Sequence, residues 1–556
     1  MKITVSDYLL RRLKELNVNH LFGIPGDYVL PFFDRILDGD HGVEHIGVTN
    51  ELNGTYNADG YSKANGYGAM AVTFGPGSLN ATNAIEGAYA DDIPLLLIAG
   101  SPTTEVLNKK TSRLYHHVIG TNFNANIEVM TPITIQAKRI EKLEMATAII
   151  DDMLIQSSIH KKPAYLELPF DIQTQLVDAP VSSLDIHHRG NDNKMLEEVV
   201  NQIMTLIAQS KSRAILVGHI VQRTKKEAEL LHIVETIGAS VATTFVGKNG
   251  TFESLSQSVG LYMGAVSEPI VKDAIENSDI LLSMGVTENE FDTGVFTNDY
   301  SNTEVVQILR DHVIINGNRY DNVYIEEVVD RIHQISNGLA QDYTPIDGKK
   351  FFYEPSDVKV TEDKPITIDV MMPMFANYFQ EEDVVFGEVG GYINMSQAKF
   401  PKNTFIQGNG NWASLGSGFA SFVGATFSEL YGRRFIALLG DGGFQMTAQE
   451  TSSLLKYNKD VALFVFNNSG YAAERAIHPG VYRSYNDIQV WNYELLPKAF
   501  GGEDLQGKGY QVSTEKELET VLELLTSPKG VNIVNIHLDP NDLAAFNVAF
   551  SSRLKH

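Results

Sequence analysis

The sequence predicts an α/β fold of three doubly wound domains, each built on a parallel β-sheet. Three stretches of the chain alternate short apolar runs with helical periodicity, the pattern of strand–helix–strand units. The length of 556 residues is enough for roughly three to four domains of ordinary size. Two polar segments containing proline separate the stretches, so we expect domains at about 1–180, 190–340 and 360–556.

The individual elements follow from apolar runs, turns and periodicity. An amphipathic helix is predicted within 1–17, because leucines alternate there with charged residues. Two further helices are predicted at about 78–90, after the turn Gly75–Pro76–Gly77, and at about 445–457. The predicted strands are 69–74 and 94–100 in the first domain, 214–217, 240–245, 280–284 and 305–309 in the second, and 435–439 and 461–466 in the third.

Composition excludes several classes of function. The chain has no cysteine, which rules out disulfides, thiolate metal sites and a thiol nucleophile. Its net charge of −25 argues against nucleic acid or an anionic membrane as a partner. No apolar run reaches the ~18 residues of a membrane span, and no signal segment is visible, so we expect a cytoplasmic protein.

One motif in the third domain combines a turn, a carboxylate and a distant amide. Gly440–Asp441–Gly442 follows a predicted strand, and 24 residues (443–466) separate it from Asn467–Asn468. That spacing holds one helix and one strand, so a right-handed crossover brings Asp441 and Asn468 to the same sheet edge. With a backbone carbonyl, taken as that of Gly470, they suit Mg²⁺ bound to a diphosphate. Gly-Asp-Gly alone fits an ordinary capped turn, but the spacing and the paired Asn favour the metal site.

At this point the sequence resembles the thiamin-diphosphate-dependent enzymes, whose signature is Gly-Asp-Gly followed at about this distance by Asn-Asn. Asn468-Ser469-Gly470-Tyr471, Glu474-Arg475 and Ile477-His478 resemble the 2-oxo acid decarboxylase branch, which includes pyruvate, indolepyruvate and branched-chain decarboxylases. Tyr485-Asn486-Asp487-Ile488 and Trp491-Asn492-Tyr493 resemble the last two especially. The resemblance spans nearly the whole chain and implies a pyrimidine-binding, a central and a diphosphate-binding domain, in that order. The central domain lacks a dinucleotide-binding fingerprint.

The resemblance also implies roles for residues that would be unremarkable by themselves. Glu51 matches the glutamate that meets the pyrimidine ring of thiamin diphosphate, although a lone Glu at a helix start is usually a dipole partner. Asp27, His116 and His117, with Glu474, match the acid–base cluster of the decarboxylases. We expect the carboxyls of such a cluster to lie in apolar surroundings, which raise their pKa values.

The cofactor-binding residues implied by the resemblance surround the motif. They are Glu51, Val389, Gly390, Ala413, Leu415, Gly440, Asp441, Gly442, Gly443, Asn468, Gly470 and Tyr471, with Asp441, Asn468 and Gly470 as metal ligands. Leu415 would be the apolar wedge beneath the bent cofactor, and the carbonyl of Ala413 the acceptor for its amino group. Ala473 and Ile477 are the expected substrate-pocket residues.

Three positions depart from the family's usual pattern. Ala413 stands where glycine is frequent, and its carbonyl contact is expected to survive only with a negative φ. Gly443 replaces a frequent Ser, and the loop Glu388–Gly391 lacks hydroxyl-bearing residues, which predicts weaker cofactor retention. Ala473 replaces Ile or Val, which suggests a larger substrate pocket unless Phe291, Phe546 or Phe550 fills the space.

The function predicted is therefore non-oxidative decarboxylation of 2-oxo acids to aldehydes and CO2, with thiamin diphosphate and Mg²⁺. Branched-chain, long-chain or aromatic 2-oxo acids are expected to be preferred over pyruvate. The family implies at least a homodimer, with a homotetramer expected, and no nucleic-acid or membrane partner. The alternatives are a carboligase or synthase on the same scaffold, or a non-catalytic nucleotide-binding protein.

Overall fold

The computed structural model describes residues 1–109, 114–186, 193–336, 343–356, 358–503 and 506–554. Three large sheets lie in three successive stretches of the chain, and most of their strand pairs are parallel, which confirms the predicted fold class. The domain boundaries predicted at 190 and 340 lie outside the described residues and stay predictions. By packing, the chain divides into two compact units.

The first unit contains the described residues up to 188, together with 419–432 and 447–457. Its six-stranded sheet is parallel throughout, and apolar helices and strands form a buried core on it. In spatial order, the strands are Glu44–Gly47, His20–Gly23, Gly68–Thr73, Leu95–Ser101, Ala164–Pro169 and Gln136–Arg139. Lys2–Thr4 and Leu176–Asp178 form a separate antiparallel pair.

The helices of this unit begin with Val5–Glu15, where an amphipathic helix was predicted. The single helix predicted at 78–90 is wrong, because the structure has two helices there. The amide of Ala81 bonds three residues back to Ser78, which tightens the turn and ends the first of them. The α-helices between Leu30 and His160 are Leu30–Asp38, Glu51–Asn65, Pro76–Asn80, Thr82–Ala90, Thr104–Asn108, Ala125–Met130 and Ala146–His160.

The second unit contains the described residues of 189–418, 433–446 and 458–556. It holds two sheets. The first has seven strands, of which the last two are an antiparallel extension that the sequence did not predict. In spatial order they are Ser258–Tyr262, Ser240–Thr244, Arg213–Val217, Ile280–Met284, Glu304–Ile308, His312–Ile315 and Asn318–Asp321. Its helices are Asn193–Gln209, His219–Thr224, Glu227–Ile237, Gly250–Glu253, Pro269–Glu276 and Ile325–Ser336.

The other sheet of this unit has six parallel strands and carries the Gly-Asp-Gly motif. In spatial order they are Phe405–Gln407, Val384–Gly387, Phe435–Gly440, Val461–Asn467, Val531–His537 and Gly507–Val512. The helices of this part of the unit are Ile368–Tyr378, Val389–Met395, Asp441–Thr447, Ala472–Ile477, Leu496–Ala499, Glu515–Leu524 and Ala545–Ser551, whereas Thr451–Lys456 and most of Ser417–Ala425 belong to the first unit.

The continuous helix predicted at 445–457 is also wrong. A helix starts at Asp441 and stops at Thr447, whose φ of −134° is not helical, and a second helix follows from Thr451. Throughout the described chain, no helix has both the length and the apolar character that crossing a membrane requires.

Candidate active site

Asp441 is a buried carboxylate that directly follows the strand Phe435–Gly440 and is the first residue of the helix Asp441–Thr447. Its Oδ1 accepts a hydrogen bond from the Gly442 amide at 2.8 Å, and its Oδ2 accepts one from the Gly470 amide at 3.1 Å. Burial raises the pKa of Asp441 to about 6, although the amide donors oppose that rise. The ionised carboxylate is therefore poorly stabilised here, and a bound cation would stabilise it.

Asn468 directly follows the neighbouring parallel strand Val461–Asn467, as the spacing predicted. Its Oδ1 is buried and has no hydrogen-bond partner within the described chain. A buried acceptor without a partner costs free energy, so this atom points to a ligand that the protein chain itself does not supply. The hydrogen bond from Gly470 to Asp441 brings the third predicted ligand residue to the same place.

The space beside these donors is lined by backbone. A Cβ on Gly440 would meet only the Cα of Gly390, at 3.9 Å, and a Cβ on Gly390 would meet nothing within 4 Å. Such open, glycine-lined backbone lets a phosphate group approach closely. The buried carboxylate, the unpartnered amide oxygen and this cradle together fit Mg²⁺ bound to a diphosphate.

Arg475 holds the loop that contains Asn468 and Ser469, a contact that the sequence reasoning missed. Its guanidinium donates to the backbone carbonyls of Asn468 and Ser469, both at 3.2 Å, and to that of Pro540 at 2.9 Å. It also pairs with Asp487 at 3.2 Å. The Glu474-Arg475 pair was noted in the sequence, but the sequence did not show which acceptors the Arg475 guanidinium would bind.

Glu388 explains why residue 443 is glycine. A Cβ on Gly443 would lie 2.4 Å from the Cγ of Glu388, a distance that real Cβ atoms do not adopt. Glu388 is fully buried, and its Oε1 accepts the amides of Val389 at 3.1 Å and Gly416 at 3.0 Å. The carboxylate of Glu388 thus fixes the loop before Gly416 and leaves no room for a side chain at position 443.

Ala413 does not have the negative φ that was stated as the condition for its carbonyl contact. Its φ is 52°, in the left-handed region that glycine adopts readily and alanine only at a cost of about 1–2 kcal/mol. The amide of Ala413 donates to the carbonyl of Asn409 at 2.7 Å, which holds the turn. The chain therefore keeps the conformation of glycine at this position and tolerates the added methyl group.

All the site residues predicted in the second unit line one cavity of about 320 Å³. Asp441 and Asn468 lie in its wall together with Glu474, which belongs to the first turn of the helix Ala472–Ile477. The remaining predicted residues in the wall are Val389, Gly390, Ala413, Leu415, Gly440, Gly442, Gly443, Gly470, Tyr471, Ala473 and Ile477. Phe291 and Phe550, stacked with ring centroids 5.3 Å apart, also line it, whereas Phe546 does not.

Glu51 lies in the first unit, as the first residue of the helix Glu51–Asn65. Asn50 caps this helix by accepting the Asn53 amide at 2.9 Å. The Glu51 side chain accepts a hydrogen bond from Nδ2 of Asn80 at 2.8 Å. A Cβ on Gly77 would lie 3.5 Å from its other oxygen, so the carboxyl is held against this glycine turn. Asn80 holds the Glu51 side chain, a contact that sequence reasoning did not identify.

Asp27, His116 and His117 converge in the first unit. Nε2 of His116 lies 2.6 Å from Oδ2 of Asp27, and Nδ1 of His117 lies 4.0 Å from Oδ1. The ring of Tyr28 stacks on that of His116 with centroids 5.1 Å apart. The expected apolar surroundings are wrong for this carboxyl in the single chain, since 49% of the Asp27 side chain is exposed.

The chain thus has α/β sheets whose strand ends carry side chains and glycine backbone that fit a diphosphate and a cation, and this points to the class of the protein. The family model described as "Thiamine pyrophosphate enzyme, N-terminal TPP binding domain" matches residues 3–124. The corresponding central-domain model matches 200–332, and the C-terminal TPP binding domain matches 389–536. The chain belongs to the thiamine pyrophosphate, or thiamin diphosphate, enzymes.

Curated relatives narrow the family further. The chain is 31% identical to pyruvate decarboxylase isozyme 1 of Saccharomyces cerevisiae, over 96% of this chain and 93% of that protein. It is 30% identical to a pyruvate decarboxylase of Candida albicans, with 99% and 98% covered, and 29% identical to one of Hanseniaspora uvarum, with 99% and 97% covered. The chain is an enzyme of the thiamin-diphosphate-dependent 2-oxo acid decarboxylase family. The predicted family and its thiamin diphosphate cofactor are confirmed.

Proposed function

We propose that this enzyme converts 2-oxo acids to aldehydes and CO2 without oxidation, using thiamin diphosphate and Mg²⁺ in the cytoplasm. The observation that carries the proposal is the cavity in which the buried Asp441 and the unpartnered amide oxygen of Asn468 lie together with Glu474. Asp441 and Asn468 offer ligands to a cation bound to diphosphate, and Glu474 supplies an acid–base group to the same cavity. Membership of the 2-oxo acid decarboxylase family supports the assignment.

The proposed roles of the binding residues follow from their chemistry. Asp441, Asn468 and the carbonyl of Gly470 would hold Mg²⁺, and the backbone of Gly390, Gly440, Gly442 and Gly443 would face the diphosphate, with Val389 and Tyr471 as neighbours. Leu415 would support the cofactor. Because Ala413 keeps the left-handed backbone that glycine adopts readily, its carbonyl would still accept a hydrogen bond from the cofactor's amino group, against the condition inferred from sequence. When bound, the cofactor supplies a carbon nucleophile and an electron sink for the bond to the departing carboxylate.

The proton transfers of the proposed reaction are assigned to side chains of the protein. Glu51 would hold the proton shared with a pyrimidine nitrogen of the cofactor, an arrangement that its bond to Asn80 keeps in place. Asp27, His116, His117 and Glu474 would deliver one proton to the carbon that has lost CO2 and remove one from the hydroxyl before the aldehyde leaves. The contact of 2.6 Å between His116 and Asp27 suits such a relay.

The direct test is incubation of the protein with Mg²⁺, thiamin diphosphate and a panel of 2-oxo acids, with measurement of aldehyde and CO2. We expect one aldehyde and one CO2 per acid consumed. Carbon–carbon coupled products in place of aldehyde would favour the carboligase alternative. No turnover of any acid, despite binding of the cofactor, would favour a non-catalytic binding protein.

We further propose that branched-chain, long-chain or aromatic 2-oxo acids are preferred over pyruvate. Ala473 and Ile477 line the cavity, and the space that a larger residue would occupy at 473 adds to it. Phe291 and Phe550 form part of the wall, yet about 320 Å³ stays open. Ala473→Ile should raise the ratio of pyruvate turnover to turnover of the larger acids. An unchanged ratio would contradict the preference.

Finally, we propose that the active enzyme is at least a homodimer, and a homotetramer by family resemblance, with Glu51 of one chain serving the cofactor held by Asp441 of another. The half-exposed Asp27 in the single chain supports a site completed by a second copy. Mixing the inactive variants Glu51→Gln and Asp441→Ala tests this, because mixed dimers regain one intact site. Failure to regain activity after subunit exchange would contradict the shared site.

A further inference from the structure

Arg139 and Glu167 form a buried ion pair in the first unit, to which the reaction assigns no role. They are paired residues on the neighbouring parallel strands Gln136–Arg139 and Ala164–Pro169. Only 7% of the Arg139 side chain and none of the Glu167 side chain is exposed. Nε and Nη2 of Arg139 both lie 2.6 Å from Oε2 of Glu167. A buried ion pair rarely makes a protein more stable than apolar residues of similar size would, so stability alone does not explain this pair.

The remaining donors of Arg139 reach the segment 114–124. Nη1 donates to Oδ1 of Asn124 at 3.0 Å, and Nη2 donates to the backbone carbonyl of Phe123. Oε1 of Glu167 accepts the hydroxyl of the buried Tyr165 at 3.1 Å, so Glu167 is itself held in place. The planar guanidinium therefore ties the sheet to a surface segment, with Glu167 fixing its orientation.

The segment 114–124 carries His116 and His117, and its ends are connected by local contacts. Ile119 and Asn122 form an antiparallel bridge. The ring of Tyr115 contacts that of Phe123 edge-on at 6.0 Å. A shift at Phe123 would therefore move Tyr115 and the histidines that follow it.

Gly75 bounds the histidines from the other side. A Cβ on Gly75 would lie 2.2 Å from the carbonyl oxygen of His117, so this backbone packs directly against the segment. His117 itself has φ of 64°, a left-handed conformation that surrounding structure has to hold. The histidines are thus fixed between Gly75 and the residues bound by Arg139.

We propose that Arg139, oriented by Glu167, is a positioning residue that holds His116 and His117 against Asp27. The inference rests on the proposed role of these three residues in proton transfer. Its mechanical part, that Arg139 orders the segment 114–124, stands on the contacts alone. An ion pair kept only for stability would not need to bind the segment that carries both histidines.

Arg139→Lys is the test variant. Lysine keeps a positive charge beside Glu167, but its compact ammonium cannot span Glu167, Phe123 and Asn124 together. We expect kcat to fall by about ten- to a hundred-fold, as misplaced catalytic groups do, with KM and cofactor-induced thermal stabilisation unchanged. Hydrogen exchange measured by mass spectrometry should become faster in peptides of 114–124 and not elsewhere in the first unit.

Arg12→Lys is the matched control. Arg12 lies in the same unit, 6% of its side chain is exposed, it pairs with Asp151 at 2.8 Å, and it bonds the carbonyl of Ser182 at 2.7 Å. Among the described residues, its hydrogen bonds and ion pairs go to residues outside 114–124, so its variant should keep the wild-type kcat and the wild-type exchange in 114–124. A loss of kcat in both variants would show a general stability effect and overturn the proposal.

Wild-type kcat or wild-type exchange in Arg139→Lys would also overturn it. If Arg139→Lys does not fold, Asn124→Ala is the second variant, because it removes one acceptor of Arg139 at an exposed position. It should show the same faster hydrogen exchange confined to 114–124. Wild-type exchange in Asn124→Ala would count against the proposal. If the wild-type enzyme turns over no 2-oxo acid, the proposed function fails. The exchange measurement still decides whether Arg139 orders the segment.

Discussion

Replacing Gly443 with the serine that is frequent in the family should lower both the stability of this enzyme and its affinity for the cofactor. The missing hydroxyl of Gly443 suggests from sequence that Gly443→Ser would tighten cofactor binding. The structure leads to the opposite expectation, because the new Cβ would lie 2.4 Å from the Cγ of Glu388. Glu388 is fully buried and cannot move aside without losing its bonds to the amides of Val389 and Gly416.

The size of the effect follows from those two bonds. A hydrogen bond to a charged group such as the Glu388 carboxylate contributes about 1.5–3 kcal/mol, so losing both lowers the free energy of unfolding by about 3–6 kcal/mol. Cofactor affinity should fall as well, since Gly416 belongs to the loop that carries Ala413 and Leu415 into the cavity. Urea denaturation of the apo protein measures the first effect, and calorimetric titration with thiamin diphosphate and Mg²⁺ measures the second.

Gly440→Ala provides the matched comparison. Its Cβ would meet only the Cα of Gly390, at 3.9 Å, so stability should be kept while the methyl group occupies space proposed for the diphosphate. Gly443→Ser should therefore lose both stability and cofactor affinity, whereas Gly440→Ala should lose cofactor affinity alone. A Gly443→Ser protein that is as stable as wild type and binds the cofactor more tightly would refute the packing argument around Glu388.

Three further predictions concern single residues. Asp441→Ala should abolish the rise in melting temperature that thiamin diphosphate and Mg²⁺ produce; a retained rise would mean that the metal site is misplaced. Ala413→Gly removes left-handed strain of about 1–2 kcal/mol at an entropic cost of about 0.5–1 kcal/mol, so urea denaturation should show slightly higher stability. Burial raises the pKa of Asp292 from 3.8 to about 6, which disfavours its ionised form in the folded protein. Wild-type stability should therefore fall by about 3 kcal/mol more than that of Asp292→Asn as pH rises through this range, and parallel pH profiles would contradict this.

The grouping of the residues in the candidate metal site was predictable from sequence, because the order and lengths of the strands and helices are written along the chain. Gly440–Asp441–Gly442 ends one strand, and 24 residues of crossover bring Asn468 to the end of the next. A right-handed crossover allows no other edge, so the meeting of Asp441 with Gly470 required no knowledge of distant contacts. The roles proposed for Glu51 and the histidines rest on family resemblance alone and stay predictions.

The errors have a common physical origin. The helices predicted at 78–90 and 445–457 are each interrupted by a local change in backbone conformation. Apolar periodicity does not reveal that a single residue such as Thr447 has a non-helical φ. Sequence reasoning judged Ala413 by its methyl group, whereas its φ is set by the turn closed onto Asn409.

The sequence by itself determined the fold class, the family and the residues at the strand ends, because apolar periodicity, turn residues and crossover length are written along the chain. Only the tertiary structure decided why position 443 is glycine, how Glu51 is held by Asn80, and that Arg139 binds the segment of the histidines. Each of these depends on residues 15 to 55 positions apart or on the space left between packed side chains. Sterics and hydrogen bonding at such separations exist only after the chain has folded.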